Sequence, residues 1–174
     1  LSLQVAADTL EQFRNGIWLV ELAPLAEPDL IPQTILTAAG IQTQRGSTAL
    51  ESLIDFLREK TALLILDNCE HLIDACARLA DGLLNAAPNL KILASSREAL
   101  GVKGEQAWRI PSLSAPNIKH VPAMDQLLRY EAVRLFMDRA LLVQPHFVVT
   151  NENAPAVAKT CYRLDGIPLA IELA

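Results

Sequence analysis

A chain of 174 residues that is 51% hydrophobic and 20% charged is long enough to bury a core and too apolar for disorder. Its net charge of −5 comes with no clustered Lys/Arg stripe, which excludes a surface built to grip phosphate backbones in this segment. No apolar run reaches the roughly 18 residues of a membrane span, and the N-terminus lacks the basic-then-apolar layout of a signal peptide, so the sequence reads as soluble and cytoplasmic.

The chain opens in a helical pattern, with Leu3, Ala6, Leu10 and Phe13 on one face. There is no initiating Met, and the run from Pro168 to Ala174 stops inside a helix-like pattern without a cap, which predicts a piece of a longer protein. Ile17 to Leu22 follows the turn signal Asn15-Gly16 and reads as a strand. A helix is expected from about Leu30, with Asp29 as its cap, Pro32 in its first turn and Gly40 at its end. Thr48-Ala49-Leu50-Glu51 has the form of a capping box, and Leu50, Leu53, Ile54 and Leu57 make the buried stripe behind it.

Ala62 to Leu66 is too short for a helix and is bounded by charge, as expected of a strand buried on both faces of a parallel sheet. Leu72, Cys76, Leu79 and Leu83 mark the face of the next helix, which Pro88-Asn89 ends. Lys91 to Ser95 is the next buried strand, and Trp108 to Ile110 is expected to be a short peripheral one. Residues 111 to 124, with Pro111, Pro116 and Pro122, read as a linker. Beyond Asp125 the pattern is helical, with one stripe of Val133, Phe136, Met137, Ala140 and Leu141 and another of Val157, Cys161 and Leu164, closed by Gly166.

Strand and helix alternating in this way predict an α/β fold with a doubly wound, mainly parallel sheet, followed by a small helical subdomain. Ligands of such sheets sit at the carboxyl ends of the strands. Asp67 and Asn68 fall at one strand end, and Ser95-Ser96-Arg97 at the same edge of its neighbour. Asp67 reads either as the cap of the following helix or as a carboxylate fixed by a buried strand to hold Mg2+ beside phosphates. Glu70 reads as a first-turn Glu favoured by the helix dipole or as a base for water, and Arg97 as a surface arginine near Glu98 or a phosphate sensor. Gly166 and Pro168 have the form of a helix stop followed by a helix start.

Cys69, Cys76 and Cys161 are odd in number, and the C-x-H-x4-C run lacks zinc-ligand spacing, so they are expected to pack as buried apolar side chains. His71 is expected to be a helix residue without chemistry, while His120 and His146 fall in loop-like stretches.

Three ordered blocks carry a family resemblance: Leu63-Leu64-Ile65-Leu66-Asp67-Asn68-Cys69-Glu70-His71-Leu72, Ile92-Leu93-Ala94-Ser95-Ser96-Arg97-Glu98-Ala99-Leu100, and Gly166-Ile167-Pro168-Leu169-Ala170-Ile171-Glu172-Leu173-Ala174. Over nearly its whole length the chain resembles the P-loop NTPase domain of STAND-class ATPases, most closely the NB-ARC-like domain of large LuxR- and AfsR-type bacterial transcriptional regulators. The resemblance implies ATP or ADP with Mg2+ as cofactors, with Asp67 as the magnesium ligand and Arg97 as the sensor that reaches the γ-phosphate. It further implies that Asn68 and Gly166 line the nucleotide and that Pro168 lies against the adenine ring. Asn68 stands where many members carry a second acid, which leaves Glu70 as the nearest base. A response-regulator receiver fits less well, since its acidic phosphoacceptor and strand-end Lys have no counterpart here.

No G-x-x-x-x-G-K-[ST] run is present; Gly40 to Ser47 has the wrong spacing, no Lys, and follows a helix. By the resemblance, the phosphate loop and the first strand lie just upstream of Leu1, that strand pairing between the strand ending at Ser95 and the one near Trp108. The resemblance therefore implies a nucleotide-binding α/β domain over 1–118, lacking those two parts, and the start of a helical ARC-like subdomain over 119–174. The parent is expected to be a slow ATP hydrolase working as a nucleotide switch, and the fragment alone to be inactive. Its partners would be sensor and output domains of the same protein, with helical repeats and a DNA-binding domain outside this segment, and no nucleic acid or membrane within it. The other reading is a non-catalytic interaction or packing module of a multidomain regulator.

Overall fold

A computed structural model describes residues 1–118 and 122–174, so His120 and the expected boundary between 118 and 119 lie outside the described residues. The chain divides into two compact units, Leu1–Ala107 and Trp108–Ala174.

In the first unit β1 (Ile17–Glu21), β2 (Ala62–Asp67) and β3 (Leu90–Ala94) form a parallel sheet in the order β1-β2-β3. The register sets Ile17 opposite Leu63, Glu21 opposite Asp67, and Ala62 opposite Leu90. Because side chains alternate along a strand, aligned residues share a face. Trp18, Val20, Leu64, Leu66, Leu90, Ile92 and Ala94 face one core with α2 (Ile31–Ala38), α3 (Ala49–Leu57) and α4 (Ile73–Ala86). These helices supply Ile31, Ile35, Leu36, Leu53, Leu57, Cys76, Leu79 and Leu83. Each fully buried Leu or Ile contributes about 1.5–3 kcal/mol of transfer free energy, so this face dominates the unit's stability.

The opposite face carries Leu19, Glu21, Leu63, Ile65, Asp67 and Leu93. There α1 (Ser2–Thr9) lies against β2, and Leu63 and Ile65 are buried. The expected helix is present as α1, which ends at Thr9 with a 3-10 turn after it; of the four residues read on one face, Ala6 and Phe13 are half-buried, whereas Leu3 and Leu10 are 67% and 60% exposed.

Local chemistry accounts for several boundaries. Thr48 accepts from the Glu51 N–H at 3.2 Å while the Glu51 carboxylate accepts from the Thr48 N–H at 2.7 Å, the capping box that opens α3. That pair holds the Glu51 carboxyl below its usual range, chiefly through the Thr48 backbone N–H and then through the Thr48 hydroxyl. The expected stripe is buried at Leu53 and Leu57, whereas Leu50 in the first turn is 42% exposed. Asp29 does not cap α2: Pro28 starts a 3-10 turn over Pro28–Leu30 that takes Asp29 inside it, and Leu30 precedes α2 without a side-chain cap. Trp108 to Ile110 forms no strand; it pairs with no ladder, and Trp108 is 87% exposed.

In the second unit α5 (Met124–Leu127), α6 (Glu131–Val143), α7 (Ala154–Arg163) and α8 (Pro168–Glu172) surround Leu127, Ala132, Val133, Val157, Ala158, Cys161 and Ile171. The expected α6 stripe holds at Val133, Phe136 and Met137, but Leu141 is 40% exposed. Leu113 and Ser114 are tied into this unit. The Leu113 N–H donates to Gly166 O at 2.9 Å, and Ser114 exchanges hydrogen bonds with Glu131 at 2.9 and 3.1 Å. A Cβ at Gly166 would stand 2.0 Å from Leu113 O, and its φ of +65° is one that L side chains rarely adopt, so this position takes only glycine. Among the described residues no helix is long and apolar enough to cross a membrane.

Candidate functional site

Leu63 to Leu66 are buried on both faces of the sheet, which fixes Asp67 rigidly at its carboxyl edge. The Asp67 Oδ1 atom accepts from the Ser95 hydroxyl at 2.5 Å, while the Ser95 Oγ accepts from the Asn68 N–H at 2.9 Å. The ladder continues past both strand ends, with Ser95 N–H donating to Leu66 O and Cys69 N–H to Ser95 O, each at 2.9 Å. Ser95 therefore holds the Asp67 carboxylate through one oxygen. The other, Oδ2, accepts no hydrogen bond from the described residues.

After Asp67 the chain turns sharply, because Asn68 sits at φ +68°, a left-handed conformation that asparagine tolerates better than most residues. Asp67 is thus the last strand residue and caps no helix, since α4 starts only at Ile73 with Leu72 before it and no side-chain cap. Glu70 and His71, expected in the first turn of that helix, lie in the turn ahead of it. Glu70 Oε1 pairs with Arg97 Nε at 3.2 Å; the Arg97 side chain is 87% exposed and the Glu70 side chain 24%. Such an exposed pair contributes about 0–1 kcal/mol, so a competing anion could displace it at little cost.

Contrary to the expectation of a helix residue without chemistry, both ring nitrogens of His71 are engaged. Nε2 donates to Leu25 O at 2.9 Å, and Nδ1 lies 3.4 Å from the Asn68 side-chain nitrogen, which fits the tautomer with the proton on Nε2. This histidine joins the loop after β1 to the turn after β2. No sequence signal reveals the contact, because Leu25 and His71 are 46 positions apart.

The structure thus brings Asp67, Asn68, Glu70 and Arg97 to one edge, together with Ser95 and His71. Gly166 and Pro168 belong to the second unit, where Gly166 lies in the turn after α7 at φ +65° and Pro168 opens α8 on the surface. The three cysteines are buried and free. A hydrogen bond with Cys76, and then burial, push the Cys69 thiol up; burial pushes Cys161 up to about 11. The same hydrogen bond holds the Cys76 thiol below its usual range. All three are packed as the apolar reading expects, and among the described residues no group of three or more His, Cys, Asp or Glu is placed to hold a metal.

No family model matches the chain. It is 45% identical over all 174 residues to a candidate HTH-type transcriptional regulator of Mycobacterium tuberculosis, and equally to one of Mycobacterium bovis, covering 18% of each. It is also 40% identical over its full length to an uncharacterized protein of Mycobacterium tuberculosis, of which it covers 41%. The chain therefore spans less than half the length of these relatives.

Proposed function

We propose that residues 1–174 are the nucleotide-binding part of a multidomain transcriptional regulator, a STAND-type, NB-ARC-like switch that takes ATP or ADP with Mg2+. One observation carries this reading: a carboxylate held by Ser95 and an exposed guanidinium, Asp67 and Arg97, leave the carboxyl ends of adjacent parallel strands, where ligands of such sheets bind. The donor chemistry fits the metal, because Mg2+ beside phosphates usually takes one or two carboxylate oxygens and keeps waters, and Asp67 Oδ2 is such an oxygen. When bound, the ion would offset phosphate charge. Asp67 would hold it and Arg97 would leave Glu70 for the terminal phosphate. Asn68 would line the same edge.

Further support is indirect. The outer edge of β3 pairs with no strand among the described residues, as a P-loop NTPase-like sheet with a further strand there would require. The names of the longer relatives support a regulatory output, with DNA contact made by another part of the protein, since this segment has a net charge of −5 and no basic stripe. ADP would hold a closed state and ATP an open one.

The test uses the full-length protein. Asp67→Ala is expected to abolish Mg2+-dependent nucleotide exchange, measured with a fluorescent ADP analogue; unchanged exchange would remove Asp67 from the site. Arg97→Ala is expected to keep ADP binding and lose discrimination between ATP and ADP, whereas equal loss of both would make Arg97 structural. A second reading, a non-catalytic interaction or packing module of a multidomain regulator, draws on Asn68, which is no acid.

A further inference from the structure

We infer that Glu21, at the end of β1, is the second carboxylate of this site and the group that takes a proton from the attacking water. The inference rests on the nucleotide reading above and adds the residue which that reading lacks.

The argument comes from strand register. Glu21 is the Cα partner of Asp67 in the parallel ladder, so the two side chains leave the same face of adjacent strands. At the strand spacing of about 4.8 Å, their Cβ atoms stand about 5 Å apart. The pairing is no frayed end, because the next residue, Leu22, still donates its N–H to Asp67 O at 2.9 Å. His71 pins the following loop through Leu25 O. Ser95 holds Asp67 on its other side, so Glu21, Asp67 and Ser95 form one row across the carboxyl edge.

The nearer alternatives are spent. Asn68 has no proton-accepting carboxylate and its side-chain nitrogen faces His71, while Glu70 lies in the turn after β2, outside the ladder row that aligns Glu21 with Asp67. Glu21 is exposed, with no hydrogen-bond or ion-pair partner among the described residues. It lies on the face opposite α2, α3 and α4, where no core side chain shields it from water.

In the step so assigned, the water oxygen bonds to the γ-phosphorus as the bond from that phosphorus to the bridging oxygen breaks. The electron pair leaves with ADP, and one water proton passes to the Glu21 carboxylate and on to solvent. A positioned base of this kind typically accounts for about 10²–10⁴-fold in rate.

The experiment compares full-length wild type, Glu21→Gln, Glu70→Gln, Asp67→Asn and, as a surface control, Glu59→Gln. It measures Mg-ADP affinity, the ATP to ADP ratio of nucleotide extracted from the purified protein, and hydrolysis. Glu21→Gln is expected to keep Mg-ADP affinity within about twofold, to be recovered with ATP where wild type carries ADP, and to hydrolyse about 10²-fold more slowly. Hydrolysis by Glu21→Gln at the wild-type rate would overturn the assignment, as would loss confined to Glu70→Gln. Wild type that binds Mg-ADP but turns nothing over would also overturn it while leaving the nucleotide reading intact. Wild type that binds no nucleotide, with Asp67→Asn indistinguishable from it, would overturn both.

Discussion

The two faces of the sheet differ in how they are closed. Behind Trp18, Val20, Leu64, Leu66 and Ile92, three helices complete a continuous core. In front, on the face of Leu19, Glu21, Ile65, Asp67 and Leu93, α1 lies against β2 and buries none of its own residues. The closed face fixes the strands; the open face ends in the row of polar groups. Asp67 is held still because the strand before it is buried on both faces, and it is reachable because it stands at the carboxyl end, past that burial.

Four measurements would break or sharpen that contrast, and the largest effect belongs to the closed face. Leu64→Ala, at a position with no exposed area, is expected to cost about 2–5 kcal/mol in urea unfolding. Leu19→Ala, half-buried on the open face, is expected to cost about 1 kcal/mol; equal losses at the two positions would mean that both faces are packed alike. Ser95→Ala should lower stability by about 1 kcal/mol and raise the Mg2+ concentration needed for nucleotide exchange, and Ser95→Thr should restore both. Restored stability without restored Mg2+ response would separate Ser95 from the site. Thr48→Ala, on the surface end of α3, is expected to cost about 0.5–1 kcal/mol by calorimetry.

The smallest effect is a pH dependence. The folded-state pKa of Glu51 is lowered from 4.5, so the stability it supplies is present above about pH 4.5 and is lost as pH falls through its folded value. Glu131, lowered chiefly by the Ser114 N–H, behaves in the same direction. Replacing Glu51 by Gln should flatten the acid limb of the stability curve, and an unchanged slope would mean that the box is not maintained in solution.

The sequence was most legible where the determining interactions are local. Five apolar residues bounded by charge made β2 readable, and the Thr48 and Glu51 spacing made the capping box readable, because each forms within one element. Asp29 and Trp108 were misread for the converse reason: Pro28 redirected the chain before Asp29, and Trp108 pairs with no strand. Within the site, Asp67 and Arg97 could be placed at strand ends from pattern and resemblance. The hydroxyl of Ser95 on Asp67 and the bridge from His71 to Leu25 join residues 28 and 46 positions apart, Glu21 stands beside Asp67 only through strand register, and no local pattern encodes any of them.

By itself, then, the sequence determined which segments become strands and helices and which polar residues stand at their ends, since hydrophobic period and capping act over a few residues. Strand order and register decided the rest. Those depend on which apolar faces find each other across the whole unit, and a shift of one residue in β1 would send Glu21 to the opposite face from Asp67.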